Sequence, residues 1–135
     1  MKKTLAVLAL CMLFQGTANA GCRFSWYSYG DTTLRDLVDQ QIGGHIPDAY
    51  CEMYADKYQI VVQFNAYTLS NMAAGHAIVG IRKKGSKVLP VENYSILSTD
   101  TKGRTAGAAN NLAVDATLSA LDNLMSELRS YKVTE

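Results

Sequence analysis

The sequence predicts a small two-layer α+β domain in which a three-stranded antiparallel meander packs against a long C-terminal helix and one or two N-terminal helices. Apolar residues alternate at period two between residues 58 and 69, and two further short apolar runs follow, separated by turn residues, which is typical of strands. After residue 107 they recur at helical spacing on one stripe. Because that stripe must be buried, we expect it to cover one face of the sheet and leave the other face partly wet.

Residues 1–20 have the organisation of a secretory signal peptide. Lys2 and Lys3 supply the positive start, and residues 4–14 form an apolar segment too short to span a bilayer. Small residues at Ala18 and Ala20 stand where a signal peptidase reads. We expect cleavage there, which makes the product periplasmic or secreted.

The alternative is a lipoprotein, because Ala20, Gly21 and Cys22 match the end of a lipoprotein box. The preceding position, which should hold Leu, is Asn19, so lipidation of Cys22 is the less favoured outcome. We expect residues 21–135 to form a single domain with no transmembrane segment, because no linker divides them and no further apolar run is long enough.

Two cysteines remain after the signal is removed, Cys22 and Cys51. An even number of cysteines in an exported chain indicates a disulfide bond. A redox pair or a nucleophile would require C-x-x-C spacing or a neighbouring base, and neither is present in the sequence. The pair is therefore predicted to be structural.

The N-terminal part of the domain contains short elements. Residues 24–29 are rich in aromatic side chains and form either an edge strand or an extended arm. A helix is predicted over residues 31–42, where a capping side chain precedes the apolar periodicity and paired glycines follow it. Pro47 suits the first position of a second short helix that carries Cys51 inward.

The remainder of the chain contains the meander and the long helix. Pro90 places the beginning of the third strand at an edge, residues 83–87 form a hairpin tip, and residues 98–107 form a loop. The predicted elements are strands at 58–69, 76–82 and 88–97 and a helix at 108–131.

Several functional classes are not supported by the sequence. The mature chain would carry a formal charge of −1, since loss of two lysines changes the total from +1, and this excludes a large basic field for nucleic acid. His45 and His76 are far apart and have no metal-ligand spacing, so we predict neither a metal nor a cofactor. No nucleophile motif is present.

His76 is the one candidate for acid–base chemistry, because it begins a strand directly after a predicted turn. A general base would need a carboxylate or a serine brought close by the fold. A half-exposed histidine at a strand end is the commoner situation.

Three surface patches are candidates for binding. The first is the basic hairpin tip, with Arg82, Lys83, Lys84 and Lys87, which could contact phosphate or an acidic protein face but also protects an edge from pairing. The second is the loop before the long helix, where Lys102 and Arg104 precede a helix N-terminus that attracts anions. An ordinary helix start capped by Thr105 is the alternative there.

The third patch is aromatic and consists of Phe24, Trp26, Tyr27 and Tyr29, with Tyr50, Tyr54 and Tyr58 further along the chain. Tyrosine and tryptophan are enriched where proteins or sugars bind, although packing around the disulfide is a simpler role for them. We favour this patch among the three.

The sequence is most consistent with an exported, periplasmic, non-enzymatic binding or protein-interaction domain, with an inhibitor or immunity-type protein as one possible form. Its partner would be a protein or a cell-envelope glycan. The alternative is a small periplasmic hydrolase that uses His76 with an adjacent Ser or carboxylate.

Overall fold

A computed structural model describes residues 21–133, so the predicted signal peptide lies outside the described residues. The helices and strands, in chain order, are β1 Trp26–Tyr29, α1 Thr32–Ile42, α2 Asp48–Met53, β2 Tyr58–Thr68, β3 Ala73–Lys83, β4 Tyr94–Asp100 and α3 Ala106–Ser126. A 3₁₀ turn at Gly43–His45 links α1 to α2. The α+β class, the long C-terminal helix and the short N-terminal helices are confirmed.

The sheet has four strands in the order β1-β2-β3-β4, so the predicted count of three was wrong. Strands β2, β3 and β4 form the predicted antiparallel meander. The fourth strand is β1, which pairs in parallel with β2 and places Trp26 beside Ile60. A parallel neighbour needs a crossover connection, and here α1, the 3₁₀ turn and α2 provide it.

The predicted third strand began at Val88, but β4 begins only at Tyr94. The intervening segment crosses the helix-free face of the sheet, where Pro90 packs on Gly80 so closely that a Cβ at residue 80 would lie 2.6 Å from the Pro90 Cβ. Proline cannot donate to a strand ladder, so this segment covers the sheet instead of extending it.

Helices α1 and α3 lie together on the other face and bury one continuous core with β2 and β3. Asp31 caps α1 through the Thr33 N–H, and Thr105 caps α3 through the Ala108 N–H. The architecture is a sheet with one helix layer. Within residues 21–133 no helix is long and apolar enough to cross a membrane.

Helix α3 ends earlier than the predicted Tyr131, because the chain passes into turns after Ser126. This places the Tyr131 hydroxyl beside β3, where it accepts a hydrogen bond from the Ile81 N–H at 2.9 Å and donates to the Glu92 carbonyl. Burial raises the pKa of Tyr131 to about 12, although the Ile81 hydrogen bond lowers it. The Tyr131 hydroxyl thus gives the Ile81 N–H an acceptor at a point on β3 that β4 does not reach.

The disulfide is confirmed, since Cys22 and Cys51 are bonded with their Cα atoms 5.7 Å apart. The bond joins the segment before β1 to α2. It therefore fixes the edge strand to the crossover helices.

Tyr50 is fully buried, and its hydroxyl has no hydrogen-bond partner among residues 21–133. A buried polar group without a partner is destabilising, so we expect Tyr50→Phe to leave the free energy of unfolding unchanged or raise it by about 1 kcal/mol. Tyr131→Phe is the matched control. It removes the acceptor of a buried N–H and should cost about 1–3 kcal/mol.

Burial also raises the pKa of Tyr50 above the value of about 10 for an exposed tyrosine. Above pH 10 the unfolded chain releases phenol protons that the folded chain retains, so the free energy of unfolding falls as pH rises. The Tyr50→Phe variant should show a smaller fall than the wild type. Denaturant titrations at pH 7 and pH 10.5 measure both effects. A loss greater than about 1 kcal/mol at pH 7 would show that the hydroxyl has a partner in solution.

Candidate functional site

The helix-free face of the sheet brings together side chains from three strands. The register pairs Trp26 with Ile60, which faces the helices, so the alternate residues Tyr27 and Tyr29 face the open side. Gln59 and Arg82 are directly opposite each other on β2 and β3 and face the same side. Tyrosines from the predicted aromatic patch thus meet an arginine from the predicted basic tip.

The Arg82 guanidinium packs against both tyrosine rings. Its guanidinium carbon is 5.0 Å from the ring centre of Tyr27 and 5.6 Å from that of Tyr29. The rings are themselves in edge contact, with centroids 5.0 Å apart. The two distances from the guanidinium to the ring centres are within the range of cation–π attraction. The guanidinium is therefore held by the aromatic rings as well as by hydrogen bonds.

The hydrogen bonds of the guanidinium are to neutral acceptors. Its Nη1 donates to the Tyr29 hydroxyl at 2.9 Å. The Gln59 side-chain oxygen accepts from Nε at 3.0 Å and from Nη2 at 3.2 Å, with the amide assigned so that its oxygen faces the cation. Within residues 21–133 no carboxylate lies within ion-pair distance of Arg82, which is only 4% exposed.

These residues line a groove of about 500 Å³, which we call the tyrosine–arginine groove. Its rim comes from the chain that follows β3, and Lys87 supplies a second positive charge there. The lining residues are Tyr27, Tyr29, Gln59, Arg82, Gly85, Ser86 and Lys87. The groove combines aromatic area, a buried cation and an exposed cation, which together suit an anionic ligand.

The other basic residues of the hairpin tip lie elsewhere. Lys83 and Lys84 are exposed and do not line the groove. Lys83 is paired with Tyr58, which packs against the core, so Lys83 lies on the helix side of the sheet. The Lys84 N–H donates to the Lys57 carbonyl at 3.0 Å, which holds the start of the turn. The predicted tip is therefore divided between a groove and a solvated turn.

Trp26 is separated from the two tyrosines by the alternation of β1. Its ring packs against the core on the helix side, with the indole N–H donating to Asp39 at 3.0 Å and Arg35 at 5.8 Å from the ring centre. The aromatic patch thus divides between two faces of the sheet. Trp26 anchors β1 to α1.

Lys102 and Arg104 lie at the opposite end of the sheet. The Arg104 side chain donates to the carbonyls of Thr101 and Ser70, at 3.4 Å and 3.5 Å, and so ties two loops together. The Lys102 N–H donates to the Asp100 carboxylate at 2.7 Å. Since β3 separates this loop from Arg82, the two lie roughly 30 Å apart by strand rise.

A second groove of about 430 Å³ lies between α2 and the end of α3. Its lining includes Met53, Met125 and the exposed charges Glu127 and Arg129. It contains no buried charged side chain, so it offers less chemistry for recognition than the tyrosine–arginine groove.

His76 lies on the open face with its Nε2 2.9 Å from the Ser95 hydroxyl, across the β3–β4 pair. Neither residue lines the two grooves described above, and within residues 21–133 no carboxylate is hydrogen-bonded to His76. The same described residues contain no group of three or more His, Cys, Asp or Glu side chains suited to a metal ion. The pair therefore has a serine but no third group to orient the imidazole.

Sequence reasoning missed Gln59, Gly85 and Ser86 as groove residues. The alternation of β2 and β3 does place Gln59 and Arg82 on the face away from the core, which is a usable signal once their pairing is known. Gly85 has a φ of 80°, and its glycine identity marks a turn, but nothing local shows that this turn borders a groove.

No family model matches the chain, and no curated protein matches it. Among solved structures, the chain is similar to a candidate lipoprotein from Caulobacter crescentus CB15, with 13% identity and a TM-score of 0.35. That match covers 79% of this chain and 85% of the other.

Proposed function

We propose that this protein is an exported, non-enzymatic binding domain whose ligand docks in the tyrosine–arginine groove. The observation that carries the proposal is the placement of Arg82, a buried cation that packs against two tyrosine rings and lines an open groove. Tyrosine and arginine are, with tryptophan, enriched among the residues that dominate binding energy at interfaces. No comparable arrangement for catalysis surrounds them in residues 21–133.

Export is supported by the signal-like residues 1–20 and by the disulfide, since such bonds persist in oxidising compartments. The bond also bears on the lipoprotein alternative. A lipidated cysteine carries its lipid on the sulfur, and the sulfur of Cys22 is bonded to Cys51. We therefore retain a soluble periplasmic or secreted product over a lipidated one.

The proposed ligand is a protein or a cell-envelope glycan. The test is to capture the ligand from envelope extract with the mature chain and to compare how tightly groove variants bind it. Tyr27→Ala should shorten the life of the complex and weaken binding by roughly thirtyfold, because truncating an aromatic anchor costs about 2 kcal/mol. Tyr67→Ala is a matched control on the same sheet face, since Tyr67 is 48% exposed and Tyr27 is 47% exposed. Surface plasmon resonance on the captured ligand measures both.

The groove is the wrong site if the two tyrosine variants weaken binding equally. Because both side chains are half exposed, neither variant should unfold the domain, and their melting temperatures should be close to that of the wild type.

The hydrolase alternative retains one specific observation, the 2.9 Å contact between His76 and Ser95. A serine activated by a histidine reacts with fluorophosphonate probes. Labelling of the wild type that is lost in both Ser95→Ala and His76→Ala would favour this function. An unlabelled wild type would remove it.

A further inference from the structure

We propose that Arg82 anchors a carboxylate-binding site, and that the carboxylate belongs to an acidic segment of a partner protein. This inference rests on the proposed function, because its site is the tyrosine–arginine groove. It adds the chemical group that the groove recognises and the class of molecule that carries this group.

The first argument is the charge of Arg82. The residue is 4% exposed, and the acceptors that its side chain contacts, the Tyr29 hydroxyl and the Gln59 amide, are neutral. A charge removed from water is costly unless an opposite charge accompanies it, and residues 21–133 supply none within ion-pair distance. An anion that enters the groove would provide the missing charge beside a guanidinium that is itself largely shielded from water.

The second argument is the set of N–H groups that remains. Arginine carries five N–H donors. The Gln59 oxygen takes the Nε donor and one from Nη2, and the Tyr29 hydroxyl takes one from Nη1. One donor is left on each terminal nitrogen, which is the number that the two oxygens of a carboxylate accept from a guanidinium. Tyr29 and Gln59 already hold the guanidinium plane, so binding requires little further ordering.

The third argument concerns the strand that carries the tyrosines and favours a peptide. The Ser25 carbonyl accepts from the Ile60 N–H at 3.1 Å, and alternate residues of a parallel strand face the same neighbour. The backbone groups of Trp26 and Ser28 therefore point to the outer edge, where no other strand of residues 21–133 pairs with them. An extended segment can add to such an edge and place an acidic side chain toward the groove.

Phosphate-rich surfaces fit the site less well. They are usually bound by clusters of cations, whereas Lys83 and Lys84 lie outside the groove and only Lys87 joins Arg82 in its lining. One fixed, planar guanidinium suits a single carboxylate better than an array of phosphates.

The test is a titration of the mature, oxidised protein with small probes. They are a short acetylated and amidated peptide with one central Glu, the same peptide with Gln, glucuronate, and inorganic phosphate. Binding is measured by calorimetry and by the NMR resonance of the Arg82 Nε–H. We expect the Glu peptide to move that resonance and to bind about tenfold more tightly than the Gln peptide, since charge-assisted hydrogen bonds are the stronger ones.

Two variants locate the effect. Arg82→Gln should abolish the preference for Glu over Gln, and Lys84→Gln, a nearby exposed lysine outside the groove, should keep that preference within about twofold. Circular dichroism and melting show whether each variant is folded. If Arg82→Gln does not fold, the resonance of Arg82 in the wild type still decides, because only a ligand at the guanidinium moves it directly.

Equal binding of the Glu and Gln peptides, or a bound Glu peptide that leaves the Arg82 resonance unmoved, would overturn the inference. Tighter binding of phosphate than of the Glu peptide would overturn the carboxylate assignment, and equally tight binding of glucuronate would overturn the peptide assignment. The proposed function fails by a separate result, namely equal effects of Tyr27→Ala and Tyr67→Ala on the captured ligand.

Discussion

Replacing Gly75 with alanine is expected to lower the free energy of unfolding by about 3 kcal/mol or more. Gly75 lies in β3 directly beneath α3, and a Cβ there would clash with the backbone of Leu112 and Ala113, at 2.6 Å from the Ala113 Cα. The obstacle is helix backbone and not the end of a flexible side chain. The new methyl group therefore forces α3 away from the sheet.

The expected loss is large because α3 packs on three strands and contributes much of the buried core. Small side chains on its inner face, Ala109, Ala113 and Ala116, are buried and allow the close approach that Gly75 completes. A helix that moves outward loses packing along its whole length. Well-packed cores tolerate such added volume poorly.

Gly43→Ala is the matched control. A Cβ at residue 43 would meet nothing within 4 Å, and the backbone there has a φ of −59°, which suits any residue. It should change stability by less than about 1 kcal/mol. Denaturant titration followed by Trp26 fluorescence compares the two variants. A Gly75→Ala midpoint equal to that of the wild type would show that the backbone of α3 does not pack this closely on Gly75.

The core elements could be predicted because their signals are local. Period-two alternation in β2 and helical spacing in α1 and α3 reflect which side chains face the core, and capping residues such as Asp31 and Thr105 mark helix starts. The cysteine pair was predictable from number and context alone. Each of these inferences needs only neighbouring residues or a count.

The fourth strand could not be predicted with equal force, because β1 has only four residues and its partner lies beyond a crossover of two helices. No local pattern specifies pairing at that separation. The start of β4 was misplaced for a related reason. Val88, Leu89 and Val91 look like strand residues in sequence, yet they flank Pro90 on a segment that covers Gly80 instead of pairing.

The candidate site depends on those same long-range contacts. In sequence, Arg82 adjoins Lys83 and Lys84 and looks like part of a solvated tip. Its burial becomes visible only when parallel pairing brings Tyr27 and Tyr29 across β2. The residue types were recognised as candidates, but their meeting in one groove is a property of the sheet order.

Reduction of the Cys22–Cys51 bond is expected to lower the free energy of unfolding by about 3.5 kcal/mol. The two residues are 29 positions apart, and the chain-entropy model gives roughly that value for a loop of this length. A small domain has a net stability of about 5–15 kcal/mol, so the loss is a large fraction of the total. Locally, reduction releases the segment before β1, and with it the edge strand that carries the tyrosines of the groove.

Denaturant titrations of the oxidised protein, with and without a phosphine reductant, measure this loss. The double variant Cys22→Ala and Cys51→Ala should resemble the reduced wild type and should not respond to the reductant. Intact mass of protein purified from its native compartment gives an independent check. The oxidised chain should begin at Gly21 without free thiols, whereas lipidation of Cys22 would add hundreds of daltons and leave Cys51 unpaired. Two reactive thiols in that material, or a stability unaffected by reduction, would contradict the structural role of the bond.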